Sequence, residues 1–242
     1  IESSLTIHPY LMKMTRSELL TLMTCMMATV ASTVMGIYII ALRDIFPQIA
    51  GHLISASLIS IPCAVIASKL SLPEQDIPET LENLPQANTD TEKPSNFMVA
   101  LLKGGSQGVK MAVGIATVLI VVLGLEALVD LALAESFGQN ISAQTLLGWL
   151  TVPFSALLGL RPEEWQLAGQ ILGSRFIETE VSAYFALAQA QIANPVPFSQ
   201  RSVTILTYAL CGFVHLASMG IFIGGLTALV PSRAQDITVM GG

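Results

Sequence analysis

The sequence predicts an all-α membrane protein in which transmembrane helices are combined with re-entrant hairpins and broken helices. Of its 242 residues, 52% are hydrophobic and only 12% are charged, whereas a soluble domain carries about 25% charged residues. Residues 19–42, residues 49–70 and an apolar run that starts at residue 111 have the composition of membrane spans, since a bilayer crossing needs about 20 mostly apolar residues.

The apolar stretches of the second half are interrupted. Residues 141–160 contain Gly148 and Pro153, residues 165–193 carry charged side chains, and residues 203–230 hold several glycines in their second half. Broken or re-entrant helices are tolerated at membrane depth only where protein buries them or where they line a wet cavity. We therefore predict that this half of the chain builds a site.

A polar, acidic segment separates the two halves. Between residues 72 and 95 one base, Lys93, accompanies six acids, namely Glu74, Asp76, Glu79, Glu82, Asp90 and Glu92. Such a segment is too polar to enter lipid. We predict a first repeat part at residues 1–71, an aqueous loop at 72–96 and a second repeat part at 97–242. The remainder of the chain is close to neutral, so no basic face suggests nucleic acid as a partner.

An internal repeat links the two parts. In the first, Arg16-Ser17 opens a helix that reaches the sequence MGIYI at 35–39; in the second, Arg201-Ser202 opens one that reaches MGIFI at 219–223. Upstream of each helix lies a carboxylate beside small residues, Glu2 and Glu180 respectively. Chance similarity between two apolar helices is the alternative. Repeated halves with discontinuous helices at matching positions indicate a secondary transporter, with substrate bound at the repeat interface.

Glu2 and Glu180 are the first candidates for binding, because a carboxylate inside the membrane is costly and is usually functional. A carboxylate can accept hydrogen bonds from hydroxyl or ring N–H groups, or bind a cation or a proton. The alternative is a helix-end carboxylate that reaches solvent. His215 could donate and accept hydrogen bonds, or be a hydrogen-bonded core residue, and the hydroxyl of Thr29 suits a small hard cation.

No motif indicates an enzyme, a metal centre or a cofactor. There is no nucleotide-binding loop, no HExxH site and no GxSxG elbow. The cysteines, Cys25, Cys63 and Cys211, lie in apolar runs without pairing or a nearby histidine cluster, which favours packed thiols.

The segment YALCGFVHLASMGI at residues 208–221, followed by GGL at 224–226 and VPSR at 230–233, resembles the signature of the concentrative nucleoside transporters. The resemblance extends to LGS at 172–174, EVSAY at 180–184, LGW at 147–149, PYL at 9–11 and MTRSE at 14–18. It thus covers nearly the whole chain and is weakest in the acidic loop.

The family resemblance implies an inverted repeat. Residues 1 to about 13 would be the second arm of a first re-entrant hairpin, and residues 19–42 its partner broken helix. Residues 164–192 would form the second hairpin, and residues 203–230 the second broken helix. The chain would begin at the first hairpin tip and stop before the last span of the family.

The same resemblance implies the binding residues. Glu2 and Glu180 occupy the two hairpin-tip positions that contact nucleoside, Glu180 being the ribose contact. The other substrate positions are Val34, Phe213, His215 and Ser218, while Thr29 and Val30 fall where the family coordinates its cation, a sodium site. The sequence departs from the family at Thr179 and His215, where asparagine is usual, and this puts ribose recognition in question.

The predicted function is therefore cation-coupled symport of nucleosides, with sodium or a proton as the coupling ion and no cofactor. The resemblance implies a multi-pass protein of the cell membrane, in a bacterium the inner membrane, assembled as a homotrimer in the lipid bilayer. The alternative, favoured by the His215 departure, is a non-transporting membrane receptor or assembly subunit that retains the fold. A membrane enzyme acting on nucleosides ranks third.

His215 gives the first testable prediction, because an imidazole changes its charge between about pH 5 and 8. If its neutral form contacts substrate, nucleoside affinity falls as the pH drops through this range, and His215→Asn removes the dependence while retaining binding. Affinity should be measured across the same pH range at fixed sodium concentration. Identical pH profiles for the two proteins would leave His215 as a neutral hydrogen-bonding or packing residue.

Overall fold

The computed structural model describes residues 7, 10–79, 96–137, 142–193, 195 and 197–241, which are helical or irregular and contain no strand. The helices are α1 (Arg16–Ala28), α2 (Ser32–Leu42), α3 (Ile49–Ser71), α4 (Phe97–Phe137), α5 (Ala143–Leu157), α6 (Trp165–Ile177), α7 (Glu180–Ile192), α8 (Gln200–Leu210), α9 (Leu216–Leu229) and α10 (Ala234–Gly241). Short 3₁₀ helices at Pro162–Glu164 and Pro231–Arg233 precede α6 and α10.

Stretches long and apolar enough to cross a membrane are Arg16–Leu42, Ile49–Ser71 and Ala112–Ser136. The first of them comprises α1 and α2, which are separated by the non-helical residues 29–31. The predicted first broken helix is therefore present. Helix α3 runs through Pro62, which spanning helices tolerate because neighbouring groups satisfy the freed carbonyl.

The second broken helix consists of α8 and α9 with an unwound segment at residues 211–215. A break at a glycine is predicted for this stretch, and Gly220 and Gly224 lie inside α9. The break falls instead at Gly212, whose φ of +105° is a conformation that residues with a side chain rarely adopt. One glycine in the left-handed region ends a helix, whereas glycines with helical angles only weaken it.

The predicted second hairpin is formed by α6 and α7, which are joined at Glu178 and Thr179. Its base is anchored by Glu164, a buried carboxylate that accepts hydrogen bonds from the backbone N–H groups of Arg161 (3.0 Å) and Ser199 (2.9 Å) and from the Ser202 hydroxyl (2.6 Å). Burial alone would raise the pKa of the Glu164 carboxyl, but these hydrogen bonds outweigh it and hold the pKa below its usual range. One side chain thus anchors the starts of α6 and α8.

By its internal contacts the chain divides into two compact units. The first consists of Ile1–Met26, Ala64–Val121 and Met219–Gly242, and the second of Met27–Cys63 and Val122–Ser218. The described core of the first unit is a cluster of apolar side chains from its helices, namely Leu11, Leu19, Met23, Leu226, Val230 and Ile237.

Polar contacts reinforce the first unit. Lys69, in the last turn of α3, donates to the hydroxyl of Ser17 at 2.8 Å and to Glu74 at 3.2 Å, and Thr15 donates to the same carboxylate at 3.0 Å. Arg233 donates to the carbonyl of Met14 at 2.7 Å.

The second unit packs α2 against the hairpin arm α7. The ring of Tyr38 stacks on that of Tyr184, with centroids 4.4 Å apart, and both residues are fully buried in the larger core cluster. Helices α5 and α6 approach each other closely because glycines line their contact. A Cβ at Gly173 would lie 2.5 Å from the backbone nitrogen of Gly148, a distance that only a backbone shift could relieve.

We therefore expect Gly173→Ala to lower stability by about 1–3 kcal/mol, the usual cost of overpacking a dense interior. Gly114→Ala is the matched control, since a Cβ there meets nothing within 4 Å and alanine favours a helix over glycine. Thermal unfolding of the purified protein in detergent checks both changes. Equal melting temperatures for the two variants would contradict the tight α5–α6 contact.

Candidate functional site

The site begins with Glu180, a buried carboxylate in the first turn of α7. A negative charge is favourable there because the helix dipole places partial positive charge at the N-terminus. Its Oε1 accepts a hydrogen bond from the Tyr38 hydroxyl of α2 at 2.6 Å, across 142 residues of sequence. Hydrogen bonds to charged groups are among the stronger ones in proteins, so Tyr38 orients the carboxylate.

His215 starts helix α9. Its Nδ1 accepts from the backbone N–H of Ser218 at 3.1 Å, while the Ser218 hydroxyl accepts from the backbone N–H of His215 at 3.0 Å. This reciprocal pattern is a capping box, in which histidine takes the place of the usual Ser, Thr, Asp or Asn. Because Nδ1 acts as the acceptor, the neutral ring carries its proton on Nε2.

The imidazole and the carboxylate face each other. Nε2 of His215 lies 3.0 Å from Oε2 of Glu180, and both side chains are almost completely buried. The two atoms are out of line for a hydrogen bond, and neither makes one with another described residue. A buried donor and a buried acceptor are thus held side by side, and a hydroxyl group of a ligand could accept from the first and donate to the second.

Phe213 and Ser218 complete this group. The Phe213 ring is tilted against the His215 ring, with centroids 5.0 Å apart. The hydroxyl of Ser218 lies 2.9 Å from the carbonyl of Phe213 and 2.6 Å from that of His215. The backbone N–H of Phe213 donates to the carbonyl of Met27 at 2.7 Å, so the two helix breaks meet within the second unit.

Thr29 and Val30 lie in the break between α1 and α2, and Val34 follows in α2. The N–H of Val30 is 3.4 Å from the hydroxyl of Ser57 in α3. Val30 and Val34 pack against the core cluster that contains Tyr38 and Tyr184. Glu2 lies outside the described residues. Of the predicted residues, Glu180 lies beside His215, which in turn contacts Phe213 and Ser218. Thr29 and Val30 lie in the neighbouring break, and Val34 lies in α2.

Sequence reasoning missed Tyr38 and the role of Arg175. The internal repeat could have indicated Tyr38, because MGIYI has a tyrosine where MGIFI has Phe222. Only the first copy carries a hydroxyl at this position. The guanidinium of Arg175 donates to the backbone carbonyls of Ala209, Cys211 and Gly212, and no local sequence pattern predicts this arrangement.

A membrane protein in which a helical hairpin meets the breaks of two discontinuous helices has the architecture of a secondary transporter. A family model described as Na+ dependent nucleoside transporter C-terminus matches residues 52–242. The chain belongs to this family, the concentrative nucleoside transporters, and corresponds to its C-terminal part. The family resemblance seen in the sequence is thereby confirmed, and the family is one of transporters rather than enzymes.

Individual relatives agree with this placement. The chain is 35% identical over 254 residues to Solute carrier family 28 member 3 of Rattus norvegicus, covering 98% of this chain and 35% of the relative. It is 34% identical over 253 residues to Sodium/nucleoside cotransporter 1 of Rattus norvegicus, covering 98% and 38%. A solved structure of CNTnw in an inward-facing substrate-bound state matches with a TM-score of 0.75 and 28% identity, covering 99% and 56%. The chain thus spans little more than a third of either rat protein and about half of CNTnw.

The hydrogen bond from Tyr38 to Glu180 can be tested by Tyr38→Phe. Removing a hydrogen bond to a charged group costs about 1.5–3 kcal/mol, so ligands that need an oriented Glu180 should bind about ten- to a hundredfold more weakly. Tyr208→Phe is the control, because it removes a hydroxyl that contacts only His52 at 3.3 Å among the described hydrogen bonds. Isothermal titration with nucleoside measures both. Equal affinities in Tyr38→Phe and the unaltered protein would show that Glu180 needs no such support.

Proposed function

We propose that the chain forms the substrate site of a secondary active transporter that carries nucleosides across a membrane together with a cation. The observation that carries this proposal is the pairing of Nε2 of His215 with Oε2 of Glu180, 3.0 Å apart, buried and misaligned. Neither atom has an aligned hydrogen-bond partner among the described residues, and a ligand hydroxyl lying beside both atoms would accept from Nε2 and donate to Oε2. A nucleoside supplies such hydroxyls on its ribose.

The neighbouring residues fit the remainder of a nucleoside. Phe213 offers an aromatic face beside the imidazole, suited to stacking on a base. Ser218 keeps the start of α9 in place, and Val34 supplies an apolar wall on α2. Glu2 would add the second carboxylate from the first hairpin. In this arrangement His215, at a position where the family resemblance places asparagine, is both the cap of α9 and a hydrogen-bond donor to the ligand.

Sodium is our proposal for the coupling cation. The matching family model is described as sodium dependent, and a relative is named as a sodium/nucleoside cotransporter. Residues 29 and 30 stand where helix α1 has ended, and a helix end exposes carbonyl oxygens, which are suitable ligands for a hard cation. A proton carried by the Glu180–His215 pair is the alternative, which sodium-independent, pH-driven uptake would select.

The protein would be a multi-pass membrane protein that works by alternating access, with the hairpin and broken helices moving about a site near the bilayer midplane. A homotrimer in a bacterial inner membrane is the assembly and location that family resemblance supports. The rival is a receptor that binds nucleoside without transport. Binding without concentrative uptake by the full protein would select that rival.

The decisive experiment is Glu180→Gln in the full protein. The change keeps the size of the side chain and removes its charge, so a hydrogen bond worth about 1.5–3 kcal/mol is weakened and uptake at low substrate concentration should nearly vanish. Glu178→Gln is the control, since it removes a carboxylate two residues away. Uptake of radiolabelled uridine and adenosine, with and without sodium, is compared at equal membrane abundance. Normal sodium-driven uptake by Glu180→Gln would reject Glu180 as the substrate contact.

A further inference from the structure

The C-terminal end of α8 is held by a side chain of the hairpin. Arg175 in α6 donates through Nη1 to the carbonyl of Ala209, and through Nη2 to the carbonyls of Cys211 and Gly212, both at 3.1 Å. The last carbonyls of a helix have no partner within it, and the unwound residues that follow have none either. The arginine fork supplies donors to both groups.

Two features make the C-terminal end of α8 dependent on the positively charged side chain of Arg175. The carbonyls at a helix C-terminus carry partial negative charge, which a basic side chain stabilises. The planar guanidinium also serves several acceptors in a fixed arrangement, whereas the ammonium of lysine acts as a point charge. Within the described residues Arg175 makes no ion pair, and its guanidinium donates to backbone carbonyls.

Gly212 leaves room for the guanidinium of Arg175 beside the backbone. Its φ of +105° excludes most side chains, and a Cβ at this position would lie 3.3 Å from Nη2 of Arg175 and 3.4 Å from the carbonyl oxygen of Ala28. The guanidinium therefore sits against bare backbone. From Gly212 the chain passes directly to Phe213, and then to His215 at the start of α9.

We propose that Arg175 is a positioning residue for the substrate site. It holds residues 211–215 in the unwound conformation that presents Phe213 and His215, although it needs no contact with the ligand itself. This inference rests on the proposed function, because it assigns Arg175 an effect on nucleoside affinity through the unwound segment.

The test uses Arg175→Gln, Arg175→Lys and Gly212→Ala in the full protein, with Arg201→Gln as the matched control. Arg201 also donates to a backbone carbonyl, that of Gly159 at 2.7 Å, but at the start of α8. We expect Arg175→Gln to raise the KM for uridine by about tenfold or more, the effect of losing a charge-assisted hydrogen bond, with a smaller change in Vmax. The KM of Arg175→Lys should lie between those of Arg175→Gln and the unaltered protein, and the KM of Arg201→Gln should equal that of the unaltered protein.

Two further measurements separate positioning from general stability. In the background Phe213→Ala, the KM effect of Arg175→Gln should shrink, because residues that act through one structure are not additive. Hydrogen exchange of residues 211–215 should speed up in Arg175→Gln, while exchange at the start of α8 stays unchanged. If Arg175→Gln does not reach the membrane, Arg175→Lys and Gly212→Ala are judged by the same criteria.

The outcomes distinguish this inference from the function on which it rests. If the unaltered protein takes up no nucleoside, the proposed function is rejected. Faster hydrogen exchange at residues 211–215 in Arg175→Gln would in that case still show that Arg175 holds the unwound segment. Uptake by the unaltered protein with an unchanged KM in the Arg175 variants overturns the positioning role. Full additivity with Phe213→Ala overturns it as well.

Discussion

Backbone hydrogen bonding in an unwound stretch of membrane helix is the constraint on which this site depends. Lipid offers no donors or acceptors, so a break in a helix at membrane depth must be satisfied by protein. Around residues 207–215 side chains supply donors to the backbone carbonyls. Tyr184 donates to that of Thr207, and Arg175 to those of Ala209, Cys211 and Gly212. The single Ser218 hydroxyl proton is shared between those of His215 and Phe213. Without these donors α8 and α9 would gain by joining into one helix.

The same contacts determine the chemistry of the binding groups. The N–H of Ser218 uses Nδ1 of His215 as its acceptor, and this places the ring proton on Nε2, beside Glu180. If Nδ1 were protonated, its N–H would face the backbone N–H of Ser218 and could not accept from it. The neutral ring is therefore the form that caps α9. Tyr38 engages the opposite oxygen of the carboxylate. The cap of α9 and the groups of the proposed site therefore belong to one network of hydrogen bonds.

Much of the fold could be predicted from the sequence because hydropathy, charge and the internal repeat are properties of contiguous segments. The interruptions of the apolar stretches were anticipated on those grounds, and the bounds of the second hairpin and of the broken helices came from the family resemblance. Which glycine marks the second break could not be predicted, since composition cannot distinguish a glycine that needs a positive φ, such as Gly212, from one inside a regular helix, such as Gly220. Tyr38 and Arg175 were missed for a different reason. Their partners are brought to them only by tertiary packing, over 142 residues in the case of Tyr38.

The use of histidine as the cap of α9 bears on how such a site changes during evolution. A helix N-terminus accepts any of several short polar side chains that offer an acceptor to the next turn. Position 215 can therefore exchange one such residue for another without losing the helix. Each exchange would alter the shape and the donor that face Glu180, so the selectivity of the proposed site would change by single substitutions that leave α9 folded.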